Sequence, residues 1–183
     1  AALLTRYFGK HSDVARAVLP VMCSHLSKPK HRTTMLFCEW RRLFEQVSTY
    51  GLSQLPSLKD WSRRNGIATK DASQILFAMH TYYSLVVKLL TAELLAATQT
   101  TSQSSLVGAI ANAQDDVTLY RALAKLEDGD FYRNYRISNF LEGDFFSWYT
   151  NEESPQLAEA LRTMARTFQE FEPATAKLKP ETV

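Results

Sequence analysis

Ile75-Leu-Phe-Ala-Met-His-Thr-Tyr-Tyr-Ser-Leu-Val-Val-Lys-Leu-Leu-Thr-Ala-Glu-Leu-Leu-Ala-Ala97 is the longest apolar stretch in the chain. It holds neither Gly nor Pro, and its apolar residues occupy most of a helical circumference. A helix of that kind is central and covered by others. His80, Lys88 and Glu93 would place charge at the middle of a bilayer, so the stretch reads as a core helix and not as a membrane span. Thr69 reads as its cap, which sets the helix at about residues 70–98. The polar run Thr98 to Ser105 that follows reads as a surface loop.

The flanking segments are helical in pattern too. Ser12 and Asp13 open a helix whose apolar side is Val14, Val18 and Val21-Met22, with a kink or break expected at Pro20. Phe37, Trp40, Phe44 and Val47, with Leu43 beside them, form the stripe of a second helix that Gly51 ends. Leu58 to Arg64 is a short helix stopped by Asn65-Gly66. Helices near 105–112 and 115–127 come next, with Asp115 and Asp116 suited to the N-terminus of the second, and Asp128-Gly-Asp130 reads as a turn. Residues 131–149 are dense in aromatic side chains. Ser154-Pro155 supplies cap and first position of a last helix, with Leu157, Leu161, Met164, Phe168 and Phe171 as its buried stripe and Pro173 as its stop.

Gly and Pro number six each and no segment alternates with period two, so strands are not expected. The fold class is all-α, an irregular multi-helix bundle around the central helix at about 70–98. Residues 1–172 read as one helical domain with a basic N-terminal subregion at 1–66. Residues 173–183 have a linker composition, which predicts continuation past Val183 toward a C-terminal domain.

Hydrophobic residues at 45% and charged residues at 22% exclude a disordered chain. Cys23 and Cys38 form no CxxC pair and no secretory leader precedes them, so free, buried thiols in a reducing cytoplasm are expected. His11, His25, His31 and His80 fall in no metal-ligand spacing. GxSxG, HExxH and GxxxxGK motifs are absent. Cys38 has no His near it in sequence and falls on a helical face with core residues, which argues against a nucleophile. Glu142-Gly-Asp144 lies among Phe140, Phe145 and Trp148, a setting that raises carboxyl pKa values for acid catalysis. A turn whose carboxylates cap nearby amides is the favoured reading. Asp128-Gly-Asp130 misses the offsets of a calcium loop, and His80 beside Tyr82 and Tyr83 reads as a core histidine. No catalytic, cofactor-binding or metal residue is assigned.

Charge is split along the chain. Residues 1–70 hold twelve Lys or Arg against four Asp or Glu, and residues 71–183 hold nine against fifteen. A basic half is what a phosphate-binding surface requires, while mutual attraction of the two halves is the simpler account. The candidate DNA-contacting residues are Lys28, Lys30 and Arg32 in a loop, Arg41 and Arg42 on the second helix, and Arg63, Arg64 and Lys70. The last three flank a helix–turn–helix-like spacing, with Trp61 and Ile67 as core pins. Only Lys70, Ser73 and Gln74 of its second helix are placed to reach bases, because the helix is too apolar after Ile75. Arg133 and Arg136 alternate with Tyr132 and Tyr135, a pattern of base stacking or, preferably, of a structural aromatic cluster. Phe146 and Trp148 are the candidate docking residues for a protein partner.

Three stretches carry a family resemblance: His80 to Leu95, Asn139-Phe-Leu-Glu-Gly-Asp-Phe-Phe-Ser-Trp-Tyr149, and Phe171-Glu-Pro-Ala-Thr-Ala-Lys-Leu-Lys-Pro-Glu-Thr-Val183. Together they resemble the helical region upstream of the catalytic domain in large bacterial adenine-N6 DNA methyltransferases of restriction–modification and phage-defence systems. The likeness spans most of residues 30–183. It implies that a catalytic domain follows, carrying the S-adenosylmethionine loop and an Asn/Asp-Pro-Pro-Tyr/Phe motif. Neither is present here and all six prolines are isolated, so no catalytic or cofactor residue carries over. S-Adenosylmethionine would belong to that following domain. The implied role is a non-catalytic N-terminal module that packs on its own C-terminal catalytic domain and contacts double-stranded DNA through the basic half. The alternative is a helical protein–protein interaction or scaffold domain using exposed parts of 131–149. A small enzyme using Glu142 and Asp144 comes last.

Overall fold

The computed structural model describes residues 2–47, 56–69, 71–98, 105–141 and 145–171. The helices are α1 (Ala2–Phe8), α2 (Asp13–Ser27), α3 (His31–Val47), α4 (Pro56–Arg64), α5 (Ala72–Ala97), α6 (Leu106–Ala111), α7 (Asp116–Leu126), α8 (Gly129–Arg133) and α9 (Pro155–Phe171). A 3₁₀ turn spans Trp148–Asn151, and no strand occurs among the described residues. The chain is all-helical, as its patterning requires.

Local chemistry sets most helix ends. Ser12 caps α2 by accepting the Ala15 N–H at 3.1 Å. The break expected at Pro20 does not occur, and α2 runs unbroken from Asp13 to Ser27. Proline removes a single N–H, whereas the buried face Val14, Val18, Leu19, Met22 and Leu26 holds α2 against α5 and α9. Asn65-Gly66 ends α4 as expected: Ile67 N–H donates to Ser62 O at 3.0 Å and Gly66 N–H to Arg63 O at 3.3 Å, with Gly66 at φ +70°. The cap of α5 is Asp71 and not Thr69. Its carboxylate accepts the Ser73 N–H at 2.8 Å, and Thr69 Oγ1 accepts the Asp71 N–H at 3.2 Å one step outside. Asp115 caps α7 through the Thr118 N–H. Asp128-Gly-Asp130 is a correction as well: Asp128 caps α8 instead of lying in a free turn. Ser154 caps α9 and Pro155 takes its first position.

α5 is the hub. Ile75, Phe77, Ala78, Tyr82, Leu85 and Leu89 are buried along it, and α2, α3, α4, α6, α7 and α9 all pack on it. It is long and apolar enough to cross a membrane, yet more than half of its most apolar window is buried within the fold, as befits a core helix. α9 lies against α2 and α6 with Leu157, Leu161, Met164 and Phe168 buried, and Phe168 stacks on Phe8 at 4.1 Å. Phe37, Trp40 and Phe44 of α3 meet Phe77 and His80 of α5. Trp148 stacks on Phe77 and donates its indole N–H to Thr81 Oγ1 at 2.7 Å. One ion pair is buried in the core: Lys88 Nζ lies 2.9 and 2.7 Å from the two oxygens of Glu127, which also accepts the Tyr149 hydroxyl.

Two backbone positions test this account in opposite directions. Arg136 repeats the Gly66 arrangement at φ 61°, with Ile137 N–H donating to Tyr132 O and Arg136 N–H to Arg133 O. Gly66→Ala should therefore lose about 1 kcal/mol in urea unfolding, and Arg136→Gly should gain about 0.5–1 kcal/mol. Burial holds the His80 pKa below its ordinary 6.5. The unfolded chain then binds the proton more readily, so stability falls as pH drops through 6.5 toward the lowered folded value. Thermal melts at pH 7.5 and 5 should differ less in His80→Phe than in the parent.

Candidate nucleic-acid interface

A buried carboxylate organises the basic part of the surface. Glu152 is only 3% exposed, and its Oε1 accepts the Lys30 N–H at 2.7 Å and the Thr33 hydroxyl at 2.6 Å. These groups lie at the start of α3, where free amides and the helix dipole favour a negative charge. Oε2 lies 3.8 Å from His25 Nδ1, and His25 Nε2 lies 2.9 Å from Ser154 Oγ. Lys30 Nζ donates to Asn151 O at 2.6 Å. The end of α2, the start of α3, the 3₁₀ turn and the start of α9 are thus tied at one point. The sequence held no signal for this, because Glu152 lies 122 residues from Lys30 and sits in a Glu-Glu pair with the look of a solvated surface.

Ser154, His25 and Glu152 line up in the order of a nucleophile–base–acid relay, but the groups are otherwise committed. The Ser154 hydroxyl accepts the Leu157 N–H as a helix cap, Glu152 Oε1 serves two donors on α3, and 3.8 Å is too long for a hydrogen bond to His25. The arrangement is a structural joint.

On that joint stand Lys28, Lys30 and Arg32, all exposed. Lys28 and Arg32 have no acidic partner among the described residues. Farther along α3, half-buried Arg41 lies over the Phe37 ring at 5.4 Å. Arg42 holds Glu39 through bonds of 2.6 and 3.2 Å, which keep the Glu39 carboxyl below its ordinary range. On α4, Arg63 pairs with Asp60 and Arg64 Nε–H donates to Asp60 O at 3.2 Å. Lys70 lies outside the described residues. Among the described residues, no Lys or Arg of the basic half pairs with an Asp or Glu side chain of the acidic half within 4 Å. Mutual attraction of the halves therefore consumes little of the positive charge, and most of it faces outward.

Other sequence expectations meet a mixed outcome. Trp61 and Ile67 are buried, as core pins must be. Ser73 is also buried, and Gln74 is held between Thr69 Oγ1 at 2.7 Å and Leu26 O at 3.0 Å. The first turn of α5 is spent inside the fold and offers these two side chains to no groove. Tyr132 is buried with its hydroxyl on Leu126 O, and it packs with Phe131 and Phe140 as a structural cluster. Trp148 needs correction as a docking residue: it is fully buried and bonded to Thr81, so no partner can reach it. Phe146 is half-buried against Phe77 and His80. Cys23 is buried, its thiol pushed up to about 12 by burial, but Cys38 is exposed on the outer side of α3 and does not join the core. Glu142 and Asp144 lie outside the described residues. Among the described residues no three His, Cys, Asp or Glu side chains gather as for a metal ion.

Comparison with protein-family models, with curated proteins and with solved structures gives no match.

If Glu152 is the joint, Glu152→Ala leaves the Lys30 N–H and Thr33 hydroxyl without their acceptor and should cost about 2–3 kcal/mol. Chemical denaturation measures this, and a change under 0.5 kcal/mol would be in the range of an ordinary surface substitution.

Proposed function

We propose that this chain is the non-catalytic helical module of a cytoplasmic DNA adenine-N6 methyltransferase, packing on a C-terminal catalytic domain and touching double-stranded DNA through its basic half. The observation that carries the DNA part is the clamped corner at Lys28, Lys30 and Arg32. Its cations stand on a joint fixed by a buried carboxylate, and two of them lack an acidic partner among the described residues. A preorganised corner loses little freedom when it meets phosphate, and each neutralised phosphate releases counterions. Arg63 and Arg64 extend the basic surface from the end of α4. These are backbone contacts, which position a duplex without reading its sequence. The methyltransferase part rests on the resemblance of residues 80–95, 139–149 and 171–183. In this reading S-adenosylmethionine and the catalytic motif belong to the following domain.

The chain should bind duplex DNA weakly, without sequence preference and with strong salt dependence, and should transfer no methyl group by itself. Neutralising Lys28, Lys30, Arg32, Arg41 and Arg42 together should lower affinity and flatten the plot of log affinity against log salt by about 0.9 per lost phosphate contact. Unchanged binding at low salt would confine the module to packing.

A further inference from the structure

The backbone just before α2 is gripped as firmly as the corner just after it. Buried Tyr82 of α5 donates its hydroxyl to Phe8 O at 3.0 Å, and buried Trp61 of α4 donates its indole N–H to Lys10 O at 3.3 Å. Gly9 O accepts the Ser12 N–H at 2.8 Å within the same turn. The Lys10 side chain stands exposed on this fixed backbone, with no acidic partner within 4 Å among the described residues. Arg64, one turn of α4 beyond Trp61, is exposed too; its Nε–H is bonded to Asp60 O, and no described carboxylate pairs with it. The turn before α2 thus repeats the arrangement of Lys28 and Arg32 after it: free cations on a backbone clamped by buried side chains.

α2 sets the distance between the two groups. Its 15 residues span about 22 Å at the usual rise per residue. A duplex rises about 3.4 Å per base pair, so the interval matches roughly six base pairs. Between the two ends the outward side of α2 shows Ala17, Ser24 and Ser27, with Pro20 and Val21 half-buried. No acid follows Asp13 along α2, and Asp13 itself pairs with Arg16 at 3.6 Å. A strip of small, uncharged side chains neither repels a phosphate backbone nor holds it away. Duplex DNA is stiff over about 150 base pairs, so contact at one end of α2 presents phosphates to the other end at little entropic cost.

We propose that a single duplex lies along the outer side of α2, its backbone held by Lys28 and Arg32 at one end and by Lys10 and Arg64 at the other. This site rests on the DNA reading above and adds to it a second anchor, Lys10, and a defined span.

The test titrates a fluorescein-labelled duplex of about 14 base pairs, long enough to reach both ends, with the whole chain. The parent should bind one duplex per chain. Lys10→Ala/Arg64→Ala and Lys28→Ala/Arg32→Ala should each weaken binding about fivefold or more at 0.1 M salt and flatten the log affinity against log salt plot by about 1.8. Combining the two pairs should multiply the losses, because both ends hold the same duplex. Removing two cations elsewhere, Lys125→Ala/Arg133→Ala, should leave affinity within about twofold. Circular dichroism checks folding; should the Lys10/Arg64 pair unfold, Lys10→Gln alone takes its place with about half the change in slope. If the Lys28/Arg32 pair weakens binding and the folded Lys10 variant does not, the span is overturned while the DNA reading stands. Two duplexes per chain, each lost with one pair, or an equal loss from Lys125→Ala/Arg133→Ala, overturns it as well. A parent chain that binds no duplex at low salt overturns both.

Discussion

A helix of 26 residues that is apolar on most of its circumference has to be surrounded, and that constraint governs this molecule. No single neighbour covers such a surface, so α2, α3, α4, α6, α7 and α9 each take a part of it. The irregular arrangement of the short helices follows from this division. Each is placed by the patch of α5, or of a helix already on α5, that its own apolar stripe can bury. Even Pro20 yields to it, because the packing of α2 on α5 and α9 outweighs one missing backbone hydrogen bond.

Two buried carboxylates fix what apolar packing leaves adjustable. Glu127 takes Lys88 and the Tyr149 hydroxyl, which locks the end of α7 and the 3₁₀ turn to the middle of α5. Glu152 takes the start of α3 and neighbours His25, which locks the entry to α9 onto the corner between α2 and α3. Apolar contacts are non-directional and tolerate small slides, whereas a buried carboxylate demands its donors at hydrogen-bond distance. The basic corner therefore inherits a fixed geometry from an acid in the opposite half of the chain.

These arrangements give the proposed module two separate surfaces. One is cationic, on the α2–α3 corner, and suits a polyanion approached through its backbone. The other is the apolar line of Tyr83, Val87 and Leu94, exposed on the second half of α5.

The sequence by itself determined the helical class, the extent of the central helix to within two residues and the caps at Ser12 and Ser154, along with the Asn65-Gly66 stop. Those features rest on periodicity and on hydrogen bonds between residues a few positions apart, which a linear reading can see. It also placed the positive charge in the first half. It did not separate Asp71 from Thr69 as a cap, since both are good acceptors one turn from the same helix start. Tertiary structure alone decided that Trp148 lies in the core while Tyr83 and Val87 face outward, although all belong to strongly apolar stretches. It alone made Glu152 a joint and left Glu93 without a donor. Which face of an apolar helix is covered, and which acid is buried, depends on partners brought from far along the chain, and no local pattern encodes them.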